Sequence, residues 1–399
     1  MPQTEQPLAD SPSEGAVMSH QQMASKYALA ILNRRPADTS PDWLLWAQED
    51  LAEFYRFVEH AEFRSIDGLE IRYALFENRE LPILNDAQAG DDPLNQPTDQ
   101  FVARLAEGHE HEAEPNRGWV FIAPGRVESY LKYQEITLEL VAAGYSVAMI
   151  DHRGQGHSDR LTGHHQQGHV GRFSDYARDF AEWVQLLQPR IGDAPAYILA
   201  HSMGGAITAL YLQTYAGSDE YPFNPFQKAA FSAPMCGIQT RPFPFWVAKP
   251  LTKALASINA IFAPRKQWYA PSTGDYVTLP FAENELTHSE NRYRWFSQMY
   301  VDQPIIKVGG PTNQWVAEAI AAARQVVLHA RRIKIPVLVL QGSEDVIVAA
   351  EPQQQFTKAL ANSASKLVPV AGARHEILME SDAIRERAMK QILQFLRAL

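Results

Sequence analysis

An α/β architecture, with a mostly parallel central sheet, helices on both faces and a helical cap inserted late in the chain, is what this sequence predicts. Three observations carry that reading. From Trp119 onward short apolar runs alternate with helical patterns, as parallel strands covered on both faces require. At Ala196 to Leu210 one such run meets a serine among small residues and passes into a helical alternation, which reads as strand, sharp turn and helix. The alternation then stops at Gly237 and resumes only at Ile335, so an insertion separates two strands.

Size and charge set outer bounds. The chain has 399 residues, 46% of them hydrophobic, enough to bury a large core in one elaborated domain or a domain with a sizeable insertion. Lys and Arg number 36 against 46 Asp and Glu, for a net charge of -10. That balance argues against binding a phosphate backbone, and nucleic acid is not an expected partner. A lone cysteine, Cys236, excludes an internal disulfide, fits a reducing compartment and reads as a small buried hydrophobe. Residues 1–20 are expected to form a disordered tail, because Met1 to Met18 lacks both a basic and an apolar leader region. The expected location is cytoplasmic. No window approaches the roughly 18 apolar residues of a membrane span, so any membrane contact would be peripheral, at the inner face and through the cap.

In chain order, Met23 to Arg34 and Pro41 to Val58 show helical spacing, the second through Trp43, Leu44, Trp46, Leu51, Phe54 and Phe57. Glu62 to Ile66 and Leu69 to Phe76 alternate about Asp67-Gly68, as an antiparallel hairpin does, and should open the sheet at one edge. Residues 78–116 read as an acidic surface excursion without an assigned role. Trp119 to Ala123 is a buried strand, Tyr130 to Ala143 a helix stopped by Gly144, and Tyr145 to Ile150 the next strand. Ser174 to Gln188 is a helix with Tyr176, Phe180, Trp183 and Leu187 on one face. After the Ala196 strand comes another at Ala229 to Met235. The insertion from Gly237 to Ala330 is aromatic and mostly helical. The pattern then closes with a strand at Ile335 to Leu340, a helix near Pro352 to Ala361, a strand at Lys366 to Val370 and a final helix from Asp382.

The serine at the turn, Ser202, is the candidate nucleophile. A turn that sharp lifts the hydroxyl clear of the sheet and demands small residues two before and two after, places held by Ala200 and Gly204. A serine hydroxyl needs a base to take its proton and a carboxylate to orient that base. Downstream, Gly342-Ser343-Glu344-Asp345 and Gly372-Ala373-Arg374-His375 each follow a late strand, in the serine, acid, histidine order that the mechanism uses. Asp345 is favoured over its neighbour Glu344, and His375 is the base. Backbone donors for the developing oxyanion are expected from the N–H of Met203 and from Arg126, where Gly125 lets the backbone approach. His201 reads as a support of the turn rather than as the base. His152, His157, His164, His165 and His169 lie close together but lack metal-ligand spacing beside a carboxylate; no metal or other cofactor is expected.

Taken together, the chain resembles the α/β-hydrolase superfamily, and within it the monoacylglycerol lipase and lysophospholipase group, most closely the bacterial lysophospholipase L2 family. The resemblance rests on Pro124-Gly125-Arg126-Val127-Glu128-Ser129-Tyr130, Asp151-His152-Arg153-Gly154-Gln155-Gly156, Ala200-His201-Ser202-Met203-Gly204-Gly205 and Val308-Gly309-Gly310-Pro311-Thr312. It implies Ser202, Asp345 and His375 as a triad, a cap at 237–330 between core segments 21–236 and 331–399, and hydrolysis of a fatty-acyl ester in a singly acylated lipid. The lipase relatives carry His-Gly at Pro124-Gly125 and glycine at Ala200. A monoacylglycerol lipase or general carboxylesterase, an acyltransferase and an aminopeptidase holding a free amine through Glu283 and Glu285 are the alternatives within the enzyme class. A hydrolase fold that only binds an apolar ligand is the alternative outside it.

Overall fold

The computed structural model describes residues 20–78, 116–239, 245–263 and 266–398. The tail at 1–19 and the acidic stretch at 79–115 lie outside the described residues.

Eight strands form one sheet: β1 (Glu59–Arg64), β2 (Glu70–Phe76), β3 (Trp119–Ala123), β4 (Ser146–Ile150), β5 (Ala196–His201), β6 (Phe226–Ser232), β7 (Val337–Gly342) and β8 (Lys366–Val370), in the order β1-β2-β4-β3-β5-β6-β7-β8. The β1–β2 and β2–β4 pairings are antiparallel and the remainder parallel. The edge hairpin turns where expected, with Gly68 at φ +86°, a conformation that costs glycine little. β3, β4, β5 and β7 are buried throughout, which is why they read as unbroken apolar runs rather than alternating ones.

Helices cover the sheet: α1 (His20–Asn33), α2 (Asp42–Trp46), α3 (Ala52–Tyr55), α4 (Gln134–Ala142), α5 (Phe173–Leu186) and α6 (Met203–Thr214) before the insertion. One π turn, Ala47–Leu51, links α2 to α3, so the helix expected at 41–58 is continuous but locally underwound. On α5 the apolar face is buried as its spacing requires, with Trp183 packed edge-on against Phe121 of β3 at 4.9 Å.

Between β6 and β7 the chain carries α7 (Phe245–Phe262), α8 (Glu290–Asp302) and α9 (Asn313–Leu328), followed later by α10 (Ala350–Ala359) and α11 (Asp382–Arg397). Among the described residues between α7 and α8 there is only one 3-10 turn, at Phe281–Glu283, so this stretch is less helical than its sequence suggested. Ala319, Ala322, Ala323 and Val326 of α9 are buried, and the Gln213 amide of α6 donates to the Val326 carbonyl at 2.8 Å. A buried ion network joins α8 to the rest: Arg292 meets Glu135 of α4 at 2.7 Å and Asp382 of α11 at 2.7 Å.

Candidate active site

The candidate nucleophile, acid, base and oxyanion loop all follow the C-terminal ends of parallel strands, the edge at which α/β sheets place their ligands. Ser202 follows β5, the Gly125-Arg126 loop follows β3, Asp345 follows β7 and His375 follows β8.

The turn at Ser202 is sharp. Its φ is +50° and ψ -113°, a strained conformation for any residue with a Cβ, and one that persists only where the surroundings over-determine it. Here they do. Ser202 N–H donates to the Ser232 carbonyl at 3.0 Å, and its own carbonyl accepts from Met235 N–H at 2.9 Å. The small residue at Gly204 is explained by the backbone that lies against it. A Cβ there would lie 2.0 Å from the Ala123 carbonyl oxygen and 2.6 Å from that of Pro124, so the close approach is between the α6 start and the end of β3. Ala200 is fully buried in mid-sheet, paired with Ala123 and Phe231.

Ser202 Oγ lies 2.9 Å from His375 Nε2, and His375 Nδ1 lies 2.8 Å from Asp345 Oδ2. Asp345 is fixed in turn: its Oδ1 accepts from the N–H groups of Ile347 and Val348 at 2.8 and 3.1 Å. Burial works against its charge, but the His375 hydrogen bond and proximity outweigh it and hold the carboxyl below the usual carboxylate range. Glu344 points elsewhere; it is 56% exposed and lies 3.6 Å from His288. Ser202 and His375 are nearly enclosed, at 7% and 5% exposure. The backbone N–H groups of Arg126 and Met203 find no acceptor among the described residues. That of Met203 opens a helix, where the first turn leaves its donors free.

Over most of its length the chain compares with ester hydrolases. Residues 114–382 match the family described as serine aminopeptidase, S33. This chain is a member of that α/β-hydrolase family. It is 37% identical to lysophospholipase L2 of Escherichia coli strain K12 over 353 residues, covering 86% of this chain and 89% of the relative. It is 29% identical to the probable lysophospholipase L2 of Haemophilus influenzae over 70% of this chain and 84% of that one. Among solved structures, a soluble variant of Saccharomyces cerevisiae monoglyceride lipase aligns with a TM-score of 0.58 at 17% identity, covering 85% of this chain and 94% of that one.

Local sequence reading missed what lies directly beneath the Ser202 site of this S33 hydrolase. Glu128, Lys132, His201 and Glu376 form a buried charge network. Lys132 Nζ bridges Glu128 Oε1 at 2.9 Å and Glu376 Oε1 at 2.5 Å. Glu128 Oε2 accepts from Tyr133 Oη at 2.7 Å and from Gly125 N–H at 2.5 Å. His201, the last residue of β5, has Nδ1 3.2 Å from Glu128 Oε2 and Nε2 3.2 Å from the His375 carbonyl. Both ring nitrogens therefore face acceptors, and only an imidazolium supplies a donor to each. Burial disfavours that charge, yet Glu128 overcomes it and the His201 pKa is raised. Desolvation likewise opposes the Glu128 carboxylate, but Lys132 and His201 hold it well below the usual range. The network explains Gly125: a Cβ there would lie 2.8 Å from His201 Nδ1 and 2.9 Å from Glu128 Oε2.

Gln155 was another residue without a visible role. Its amide nitrogen donates to the carbonyls of Gly125 and Glu128 at 2.7 and 3.0 Å, pinning the loop after β3. Val127 in that loop has φ +62°, and its carbonyl accepts from Tyr300 Oη of α8 at 3.0 Å. The clustered histidines are spread over separate partners, among them His169 with Thr312 at 2.9 Å and His165 with the Ile305 carbonyl at 2.6 Å. A cleft of about 810 Å³ between α2 and α8, lined by residues such as Leu44, Phe281 and Trp295, contains none of the three relay residues.

Proposed function

We propose that this ester hydrolase cleaves the fatty-acyl ester of a lysophospholipid, with Ser202 as nucleophile, His375 as general base and acid, and Asp345 as the group that orients the histidine. The observation that carries the reading is the unbroken Ser202–His375–Asp345 hydrogen-bonded relay in a chain 37% identical to a lysophospholipase across most of both lengths.

In this reading His375 Nε2 takes the Ser202 proton as Oγ attacks the acyl carbonyl. The oxyanion is held by the N–H groups of Met203 and Arg126. The imidazolium, stabilised by Asp345, then protonates the leaving glycerol oxygen. Water repeats the cycle on the acyl-enzyme and releases the fatty acid. Residues 237–330 act as the cap that selects the acyl chain.

The test is fatty-acid release from a lysophospholipid and from a monoacylglycerol of the same chain length. Wild type is expected to favour the lysophospholipid, and Ser202→Ala to lose both release and labelling by a fluorophosphonate. Equal labelling of the two proteins would remove Ser202 from its role. The monoacylglycerol reading draws on more distant relatives, such as the 23%-identical monoacylglycerol lipase of Mycolicibacterium smegmatis. Against an aminopeptidase, both Glu283 and Glu285 are exposed, whereas a site gripping a free amine needs its acids turned inward.

The cap also carries a candidate lipid-surface contact. No helix among the described residues is long and apolar enough to cross a membrane. On one face of α7, however, Ile258, Ile261 and Phe262 are exposed, the last two at 71% and 77%, and Val277 and Leu279 of the insertion are exposed as well. An exposed apolar helix face of this kind marks an interaction surface. Ile261→Asp with Phe262→Asp is expected to abolish cosedimentation with phospholipid vesicles while hydrolysis of monomeric substrate persists. Unchanged cosedimentation would refute that contact.

A further inference from the structure

Four enclosed arginines among the described residues come with carboxylates. Arg153 pairs with Asp179, Arg292 with Glu135, Arg385 with Glu139 and Arg35 with Glu135. Arg126 differs. Its Nη2 donates to the Gly309 carbonyl at 2.5 Å, and its guanidinium lies 5.0 Å from the centre of the Trp315 ring. No carboxylate of the described residues reaches it, and its Nε is enclosed without any acceptor.

The surroundings are neutral. Tyr176 holds Trp315 in place through a 3.2 Å hydrogen bond from the indole N–H, and burial keeps the His169 pKa down at about 4, so that ring carries no charge near neutrality. Gly168 closes the other side: a Cβ there would stand 2.8 Å from Nη2. By surface area Arg126 is only partly buried, yet desolvation of its guanidinium pushes the pKa down to about 10. A cation left in a low-dielectric place without a counter-charge is costly, and an anion brought beside it would relieve that cost.

Position gives the anion its identity. Arg126 is the residue whose backbone N–H is assigned above to the oxyanion, so its side chain branches from the loop that borders the reacting carbonyl. A lysophospholipid carries a phosphate a glycerol's length from its ester. We propose that Arg126 is the phosphate-binding residue of this site, with its guanidinium taking the phosphodiester of a lysophospholipid whose acyl ester lies against Ser202. Arginine suits the task, since its guanidinium stays charged and can donate from a nitrogen other than the one held by Gly309. The proposal rests on the lysophospholipase reading and deepens it: the arginine is what distinguishes a phosphorylated head group from a bare glycerol.

The experiment compares kcat and KM for a lysophosphatidylcholine and a monoacylglycerol of equal chain length in wild type, Arg126→Gln and Arg126→Lys. The expected result is a KM for the lysophospholipid raised about 10- to 100-fold in Arg126→Gln, the loss of one charged hydrogen-bond pair, with a much smaller change for the monoacylglycerol and partial recovery in Arg126→Lys. Glycerol 3-phosphate should slow fluorophosphonate labelling of wild type more than inorganic phosphate does, and lose that advantage in Arg126→Gln. Parallel losses on both esters would overturn the proposal and leave Arg126 as a tie between the Gly125 and Gly309 loops. Equal protection by the two phosphates would also overturn it, in favour of a free-anion site. A wild type that cleaves only the monoacylglycerol would overturn the lysophospholipase reading itself, before any variant is made.

Discussion

Adding one methyl group at Gly204 is expected to cost this enzyme nearly all of its activity. The new Cβ would sit 2.0 Å from the Ala123 carbonyl oxygen and 2.6 Å from that of Pro124, where ordinary contact begins at 3.4 Å. Both obstacles are backbone, so no flexible side chain can give way. Either α6 or the end of β3 must move by about 1.4 Å, and each of them carries one proposed oxyanion donor, Met203 or Arg126. A displacement near 1 Å at reacting groups costs about 10²-fold in rate. The kcat/KM of Gly204→Ala should therefore fall at least about 100-fold, which is roughly 2.7 kcal/mol of transition-state stabilisation. The overpacking itself should cost about 1–3 kcal/mol of stability. Steady-state hydrolysis, thermal unfolding by circular dichroism and fluorophosphonate labelling together read the three effects. A variant with wild-type Tm and kcat/KM within threefold of wild type would refute the close approach and the account of the turn built on it.

Asp345→Asn should keep the fold, since an amide fills the same space, but lose about 10⁴-fold in kcat because His375 would be held in the wrong tautomer. Full activity in that variant would move the orienting role to another acid. Stability should fall on the alkaline side through His201. Because Glu128 raises its folded pKa, its contribution is complete below the ordinary histidine value of about 6.5 and is lost as pH rises through the higher folded value. Glu128→Gln removes the counter-charge, so it should cost about 3 kcal/mol and shift that alkaline fall to lower pH; superimposable plots of Tm against pH for the two proteins would refute the assignment.

Much of the site could be read directly from the sequence, because each part is encoded in a few neighbouring residues. The small-x-Ser-x-Gly turn, the acid loop after one late apolar run and the histidine loop after the next are local patterns, and their order along the chain does the rest. The buried strands were equally legible as apolar runs. The choice of Asp345 over Glu344 was harder, since two adjacent acids in one turn look alike until the turn aims one at His375 and the other at solvent.

The charge network was not legible, and its spacing says why. Lys132 and Glu376 are 244 residues apart, and Glu128 and His201 are 73 apart. On its own segment each reads as an ordinary polar residue, because burial of a charge is set by what packs over it and not by its neighbours in sequence. The same holds for Arg126. Sequence could place its backbone after a strand and beside a glycine, but only the packing of Gly309, Trp315 and Gly168 around the guanidinium leaves the cation desolvated and without a carboxylate. The sequence by itself placed the candidate nucleophile, acid and base after the ends of β5, β7 and β8. Tertiary structure alone decided the electrostatics beneath and beside them, since the energy of a charge depends on the dielectric and the partners that the fold brings from elsewhere in the chain.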